Sequence, residues 1–109
     1  MANNLGRNVN VNCTFKGMEP TDAVVNYVVE KVGKAVEKFS RKPVNVRVVV
    51  KVEKNRHIAE ANFRMDGNEF CCKEESHDLY SSIDELSDAV QQQLRKHKEM
   101  VRDRKHRRG

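Results

Sequence analysis

Val44-Asn45-Val46-Arg47-Val48-Val49-Val50-Lys51-Val52-Glu53 carries a valine at every second position. Residues two apart on an extended chain point to the same side. Val44, Val46, Val48, Val50 and Val52 therefore make one apolar face, and Asn45, Arg47, Val49, Lys51 and Glu53 make the other. β-Branched side chains suit a pleated, half-buried surface. The stretch predicts a strand with one face on a core.

The same period repeats on both sides of it. Downstream, Lys54-Asn55-Arg56 is a short polar turn, after which His57, Ala59, Ala61, Phe63 and Met65 alternate with Ile58, Glu60, Asn62 and Arg64. Asp66-Gly67-Asn68 is a hairpin signal, because Gly and Asn tolerate positive φ. A further strand at about 69–75 turns Phe70 and Cys72 inwards. Upstream, Val9, Val11, Cys13 and Phe15 alternate with Asn8, Asn10, Asn12 and Thr14. Ala59 and Ala61 are small and leave room for a bulky helix residue above them.

Two segments have helical spacing instead. After the loop at 16–20, Thr21 is a good N-cap for a helix running to about Ser40, with Val24, Val28, Val32, Ala35 and Phe39 on its apolar stripe. Arg41-Lys42-Pro43 ends it. From Asp78, itself an N-cap residue, Leu79, Ile83, Leu86, Val90, Leu94 and Val101 recur at steps that hold one helical face. The predicted class is α+β in the order β-α-β-β-β-α. A helical crossover makes the first two strands parallel and right-handed, and the last three form an antiparallel meander. The result is a four-stranded mixed sheet with both helices on its one apolar face.

A chain of 109 residues fits one domain. We divide it into a loose tail at 1–7, a folded domain at 8–101 and a basic tail at 102–109. No apolar run approaches a membrane span, and no charged-then-apolar signal region opens the chain. Three cysteines cannot all pair within one chain, which suits a reducing cytoplasm. Cys71 and Cys72 are neighbours on a strand and point to opposite faces, so they cannot grip one metal ion as C-x-x-C does. No metal site or cofactor is expected. Sequence motifs for nucleotide hydrolysis, serine hydrolysis or zinc proteolysis are missing, which argues against an enzyme.

Charge is the feature that asks for a function. Residues 94–109 hold eight Lys/Arg against two Asp/Glu, and residues 1–93 hold thirteen against fourteen, so the net +5 is a local property. On the last helix Gln91, Arg95, Lys98, Arg102 and Lys105 share one flank, with Tyr80 near its start; Lys96 lies across the core stripe. On the first, Lys31, Lys34 and Lys38 share a flank with Tyr27, and Glu30 and Glu37 fall on the other. Side-by-side helices would pool these cations into a strip for phosphates. Lysines at this density position a nucleic-acid backbone and carry little base information. With two tyrosines and no tryptophan, broad stacking on single strands is weak, which favours structured RNA.

Lys51-Val52-Glu53-Lys54, Asp78-Leu79-Tyr80-Ser81-Ser82-Ile83-Asp84 and Gln93-Leu94-Arg95-Lys96-His97-Lys98 resemble the bacterial ribosome hibernation promoting factors, a family that includes the ribosome-associated inhibitor proteins. The likeness runs from about Val9 to Val101, and its D-[LM]-Y-x-[AS]-I-D segment is its most specific part. It implies a fold similar to double-stranded-RNA-binding domains. It also implies a cytoplasmic translation inhibitor that occupies the mRNA/tRNA channel of the small ribosomal subunit on rRNA phosphates and idles ribosomes under stress or in stationary phase. The family's basic positions fall on Lys31, Lys34, Lys96 and Lys98, and its tyrosine on Tyr80. Lys38, Arg95 and Arg102 join the expected RNA contacts on helical phase alone. Where relatives often carry basic residues, this chain has Ala89 and Gln92. The chain resembles the short form, a monomer off the ribosome, which needs a separate modulation factor to help join ribosomes.

Two other readings fit the residues. One is a protein-interaction regulator using Val49 and Ile58, the apolar residues on the otherwise polar sheet face. The other is a general double-stranded-RNA binder acting off the ribosome.

Overall fold

A computed structural model describes the backbone of residues 2–5 and 8–107 and the side chains of residues 8–101. The elements are β1 (Ala2–Leu5), β2 (Val9–Lys16), α1 (Asp22–Val28), a π-helical turn (Val29–Gly33), α2 (Lys34–Glu37), β3 (Val44–Glu53), β4 (Arg56–Met65), β5 (Asn68–Ser76) and α3 (Leu79–Arg107). The sheet order is β1-β2-β3-β4-β5. β2 and β3 are parallel, and the other neighbours are antiparallel. The expected four-stranded mixed sheet is present as β2 to β5. β1 comes from the stretch read as a loose tail and pairs along the edge of β2, Ala2 opposite Asn12 and Leu5 opposite Val9. Four residues with no alternation of their own leave no periodic trace in a sequence.

Register turns the valine pattern into rows. Cys13, Val48, Ala61 and Cys72 lie side by side across four strands, and all are buried. The next row toward one end is Val11, Val46, Phe63 and Phe70, with the two phenylalanine rings stacked 5.1 Å apart. Ile83, Leu86, Val90 and Leu94 of α3 close the same core. Two-residue turns link the meander. Gly67 takes the expected positive φ, 77°, but its partner is Asp66 at 54°, since Asn68 already begins β5; Lys54 also has positive φ, 55°. In the loop after β2, Gly17 has φ +76°, and a Cβ there would overlap the Val52 carbonyl.

Both helix starts are capped as the sequence indicates. The Thr21 hydroxyl accepts from the Val24 N–H at 3.2 Å. The Asp78 carboxylate accepts from the Ser81 N–H at 2.9 Å and the Ser81 hydroxyl at 3.1 Å, and the first of these holds its carboxyl below the usual range. The first helix departs from the ideal wheel. The π turn at its middle closes i→i+5 bonds and shifts the phase of the residues after it. Val36 is buried after it beside Val32 and Ala35, Val25 is buried ahead of it beside Val24 and Val28, and Phe39 is only half-buried.

The outer sheet face does not present the apolar patch of the interaction-regulator reading. Ile58 is 6% exposed and has Lys51 and Glu75 as its cross-strand neighbours. Arg56 forks onto Glu75 at 2.8 and 2.9 Å beside it. Long charged side chains of this kind cover apolar neighbours with their stems. Val49 is half-buried.

Candidate nucleic-acid interface

The two helical rods lie side by side, tied by side chains from both. The buried Ser87 of α3 donates to the Lys31 carbonyl at 3.0 Å. The Tyr27 hydroxyl donates to Asp84 at 2.6 Å, and this bond raises its pKa. Tyr27 and Tyr80 meet edge to face at 4.8 Å, and the Lys31 ammonium lies 5.7 Å from the Tyr27 ring centre. Tyr80, half in contact with this cluster, stays 40% exposed.

Two concavities lie along the rods. The first, about 310 Å³, has Lys31, Lys34 and Lys38 on one wall, and Glu30, Asp84 and Asp88 line it too. Its charges balance: Lys34 meets Glu30 at 2.7 Å and Lys31 meets Asp84 at 3.7 Å. The expected segregation of Glu30 from the lysines does not hold, because Lys34 follows it by four residues and reaches back one turn. The cationic flank of α3 likewise begins acidic. Asp84 and Asp88 precede Gln91, Arg95 and Lys98 on the same helical phase.

The second concavity, about 400 Å³, sits at the other end of the rods. Lys38, Arg41, Lys42 and Lys98 surround it, with Asp66 as its one carboxylate among the described residues. None of these four cations has an ion-pair partner among the described residues. Phe39, Met65, Leu94 and Val101 supply an apolar floor. His97 packs edge-on against Phe70 at 5.5 Å, with its Nε2 3.4 Å from Asp66. That approach makes no hydrogen bond.

The structure thus brings Lys38 and Lys98 together, and sets Lys31 and Lys34 in the balanced concavity. Arg95 and Lys96 are exposed and line neither one. The side chain of Arg102 lies outside the described residues. Arg41 and Lys42 were legible only as helix-breaking residues. Their clustering beside Lys98 depends on where α3 ends up over the sheet, which no local pattern reports.

Among the described residues no group of three His, Cys, Asp or Glu could hold a metal ion, and no helix is long and apolar enough to cross a membrane. The thiols do not suggest chemistry either. Burial pushes Cys13 and Cys72 up to about 11, and Cys71 is raised by partial desolvation and by Glu60.

A compact α+β domain with clustered cations beside paired helices has the charge pattern that attracts anionic polymers. Residues 11–102 match the family described as Sigma 54 modulation protein / S30EA ribosomal protein, and the chain belongs to that family. It is 39% identical over 89 residues to a ribosome hibernation promoting factor of Pseudomonas putida, covering 82% of this chain and 86% of that one. It is 37% identical over 93 residues to the protein of the same name from Escherichia coli, covering 84% and 96%. The family is not an enzymatic one. The fold is similar to the N-terminal domain of Thermus thermophilus Protein Y, with a TM-score of 0.73 at 24% identity over 84% of this chain and 99% of that one. It is also similar to a ribosomal subunit interface protein of Coxiella burnetii, with a TM-score of 0.70 at 23% identity over 81% and 96%.

Proposed function

We propose that this chain is a cytoplasmic ribosome hibernation factor. It occupies the mRNA/tRNA channel of the small ribosomal subunit through contacts to rRNA phosphates and idles ribosomes under stress or in stationary phase. The observation that carries this reading is the cluster of Lys38, Arg41, Lys42 and Lys98, without ion-pair partners among the described residues, at one end of two side-by-side helices. Such a cluster gains by replacing counterions around phosphates and releases those ions on binding. The mechanism is occupancy: a folded wedge that excludes mRNA and tRNA from the same space. Lys31 and Lys34 join in by exchanging exposed carboxylate partners for phosphates. Exposed ion pairs contribute only about 0–1 kcal/mol, so the exchange costs little. Tyr80, Arg95, Lys96 and Arg102 extend the contact along α3. The protein is a monomer off the ribosome, and a separate modulation factor helps to join two idle ribosomes.

Sedimentation with purified small subunits tests this. The protein should co-migrate at moderate salt and fall away as salt rises, with a slope matching several phosphate contacts. It should be displaced by mRNA with bound tRNA. Failure to co-migrate, or equal competition by bare duplex RNA, would sink the ribosomal reading and favour a general duplex binder.

A further inference from the structure

We propose that the concavity bounded by Lys38, Arg41, Lys42 and Lys98 is a nucleotide pocket, which takes an unstacked base on its floor and that nucleotide's phosphate on its rim. Three observations carry this beyond a general affinity for phosphate. The first is size: about 400 Å³ lies within the roughly 300–1,000 Å³ typical of small-ligand sites. The second is chemical layering. Phe39, Met65, Leu94 and Val101 line the same space as the cations, and Val101 is 38% exposed. A phosphate alone has no use for an apolar floor, whereas a base has a flat apolar face and a charged group attached to it. The third is the contrast with the neighbouring concavity, where three lysines face three carboxylates and Ala35 is the one apolar side chain among the described lining residues. That arrangement offers nothing to a base and little net attraction to an anion.

The walls also suit the parts between base and phosphate. The Asp66 carboxylate is 63% exposed and makes no hydrogen bond through its oxygens among the described residues, so it can accept from ribose hydroxyls or an exocyclic amine. Arg41 offers the planar fork that grips a phosphate through two N–H groups, and Lys38, Lys42 and Lys98 add point charges around it. The nucleotide can be free in solution or an unpaired residue of bound RNA. In the second case the inference rests on the ribosomal reading; in the first it stands apart from it.

The test is a titration of the whole chain followed by backbone amide shifts, with adenosine 5′-monophosphate and ribose 5-phosphate as probes. The nucleotide should give one saturable set of shifts centred on Phe39, Asp66 and Lys98, at least about tenfold tighter than the sugar phosphate, as expected when a base contributes. Arg41→Glu with Lys42→Glu should abolish binding of both probes. Val101→Asn should weaken the nucleotide several-fold and leave the sugar phosphate unchanged. Equal affinity for the two probes, shifts centred elsewhere, or no saturable shift overturns the pocket. Two RNA hairpins, one with a single bulged nucleotide and one fully paired, then identify the source. Displacement by the bulged hairpin alone assigns the pocket to bound RNA, and displacement by neither assigns it to free nucleotide. Equal displacement by both overturns base recognition. Sedimentation of the same preparation with small subunits separates the two readings. A protein that co-migrates but ignores the nucleotide refutes the pocket only, and one that binds the nucleotide but does not co-migrate refutes the ribosomal role only.

Discussion

The Ser87 hydroxyl donates to the main-chain carbonyl of Lys31 across 3.0 Å, so a buried side chain of α3 is fastened to the π turn of the first helical rod. The Lys31 carbonyl also accepts the Lys34 N–H within its own rod, so Ser87 fills its second lone pair. Ser87 thereby ties the rods together and sets the spacing between Lys31 and α3. Ser87→Ala should therefore cost about 0.5–1.5 kcal/mol, the net worth of one intramolecular hydrogen bond. Urea unfolding checks the loss. A change within a few tenths of a kcal/mol would mean that this bond adds no net stability.

Ala61 sits in the inner row between Val48 and Cys72 and has no exposed surface. A small residue at this row lets α3 come close to β4 and β5. Ala61→Leu should destabilise the fold by about 1–3 kcal/mol through overpacking. The displacement of α3 should also weaken association with small subunits, because Lys98 moves away from Lys38. Unchanged thermal stability would show that the row has spare room.

Much of the architecture was legible because it repeats. Alternating valines in β3, the alanines of β4 and the spaced leucines of α3 each carry their own period, and the caps at Thr21 and Asp78 mark their helices locally. What escaped was non-repeating or long-range. β1 is four residues long and takes its register from β2. The π turn has no sequence period, and Val36 joins the core after it. For the site, the cations were visible but their partners were not. Glu30 is expected on the other flank from Lys34, yet residues four apart are helical neighbours, and the two meet at 2.7 Å. Arg41 and Lys42 read as punctuation until the fold sets them beside Lys98.

The three thiols should separate cleanly by reactivity. Cys13 and Cys72 are buried, and burial lifts both to about 11, so almost no thiolate forms near neutral pH. Cys71 is exposed on the outer sheet face, with Glu60 near its sulfur at 3.7 Å. Its pKa is also raised, so its labelling should be slower than that of an unhindered thiol and should speed up as pH rises past the ordinary value of 9.0. A maleimide titration should give one reactive cysteine in the native protein and three after denaturation. Glu60→Gln should accelerate the native reaction by removing the nearby negative charge. Two fast thiols in the native state would contradict the burial of Cys72.

Charge reversal should rank the lysines by what they already touch. Lys31 and Lys34 each face a carboxylate, Asp84 at 3.7 Å and Glu30 at 2.7 Å, and the Glu30 contact raises the Lys34 pKa. Lys38 and Lys98 have no such partner among the described residues. A phosphate meeting the first pair must displace an anion, and one meeting the second pair need not. Lys38→Glu with Lys98→Glu should therefore weaken co-sedimentation with small subunits more than Lys31→Glu with Lys34→Glu. It should also flatten the dependence on salt by an amount equivalent to about two phosphate contacts. All four side chains are exposed, so thermal unfolding should stay close to that of the parent. The reverse ranking, with folding intact, would move the centre of the interface to the Tyr27–Asp84 end of the rods, where ribosomal phosphates would have to compete with carboxylates for every contact.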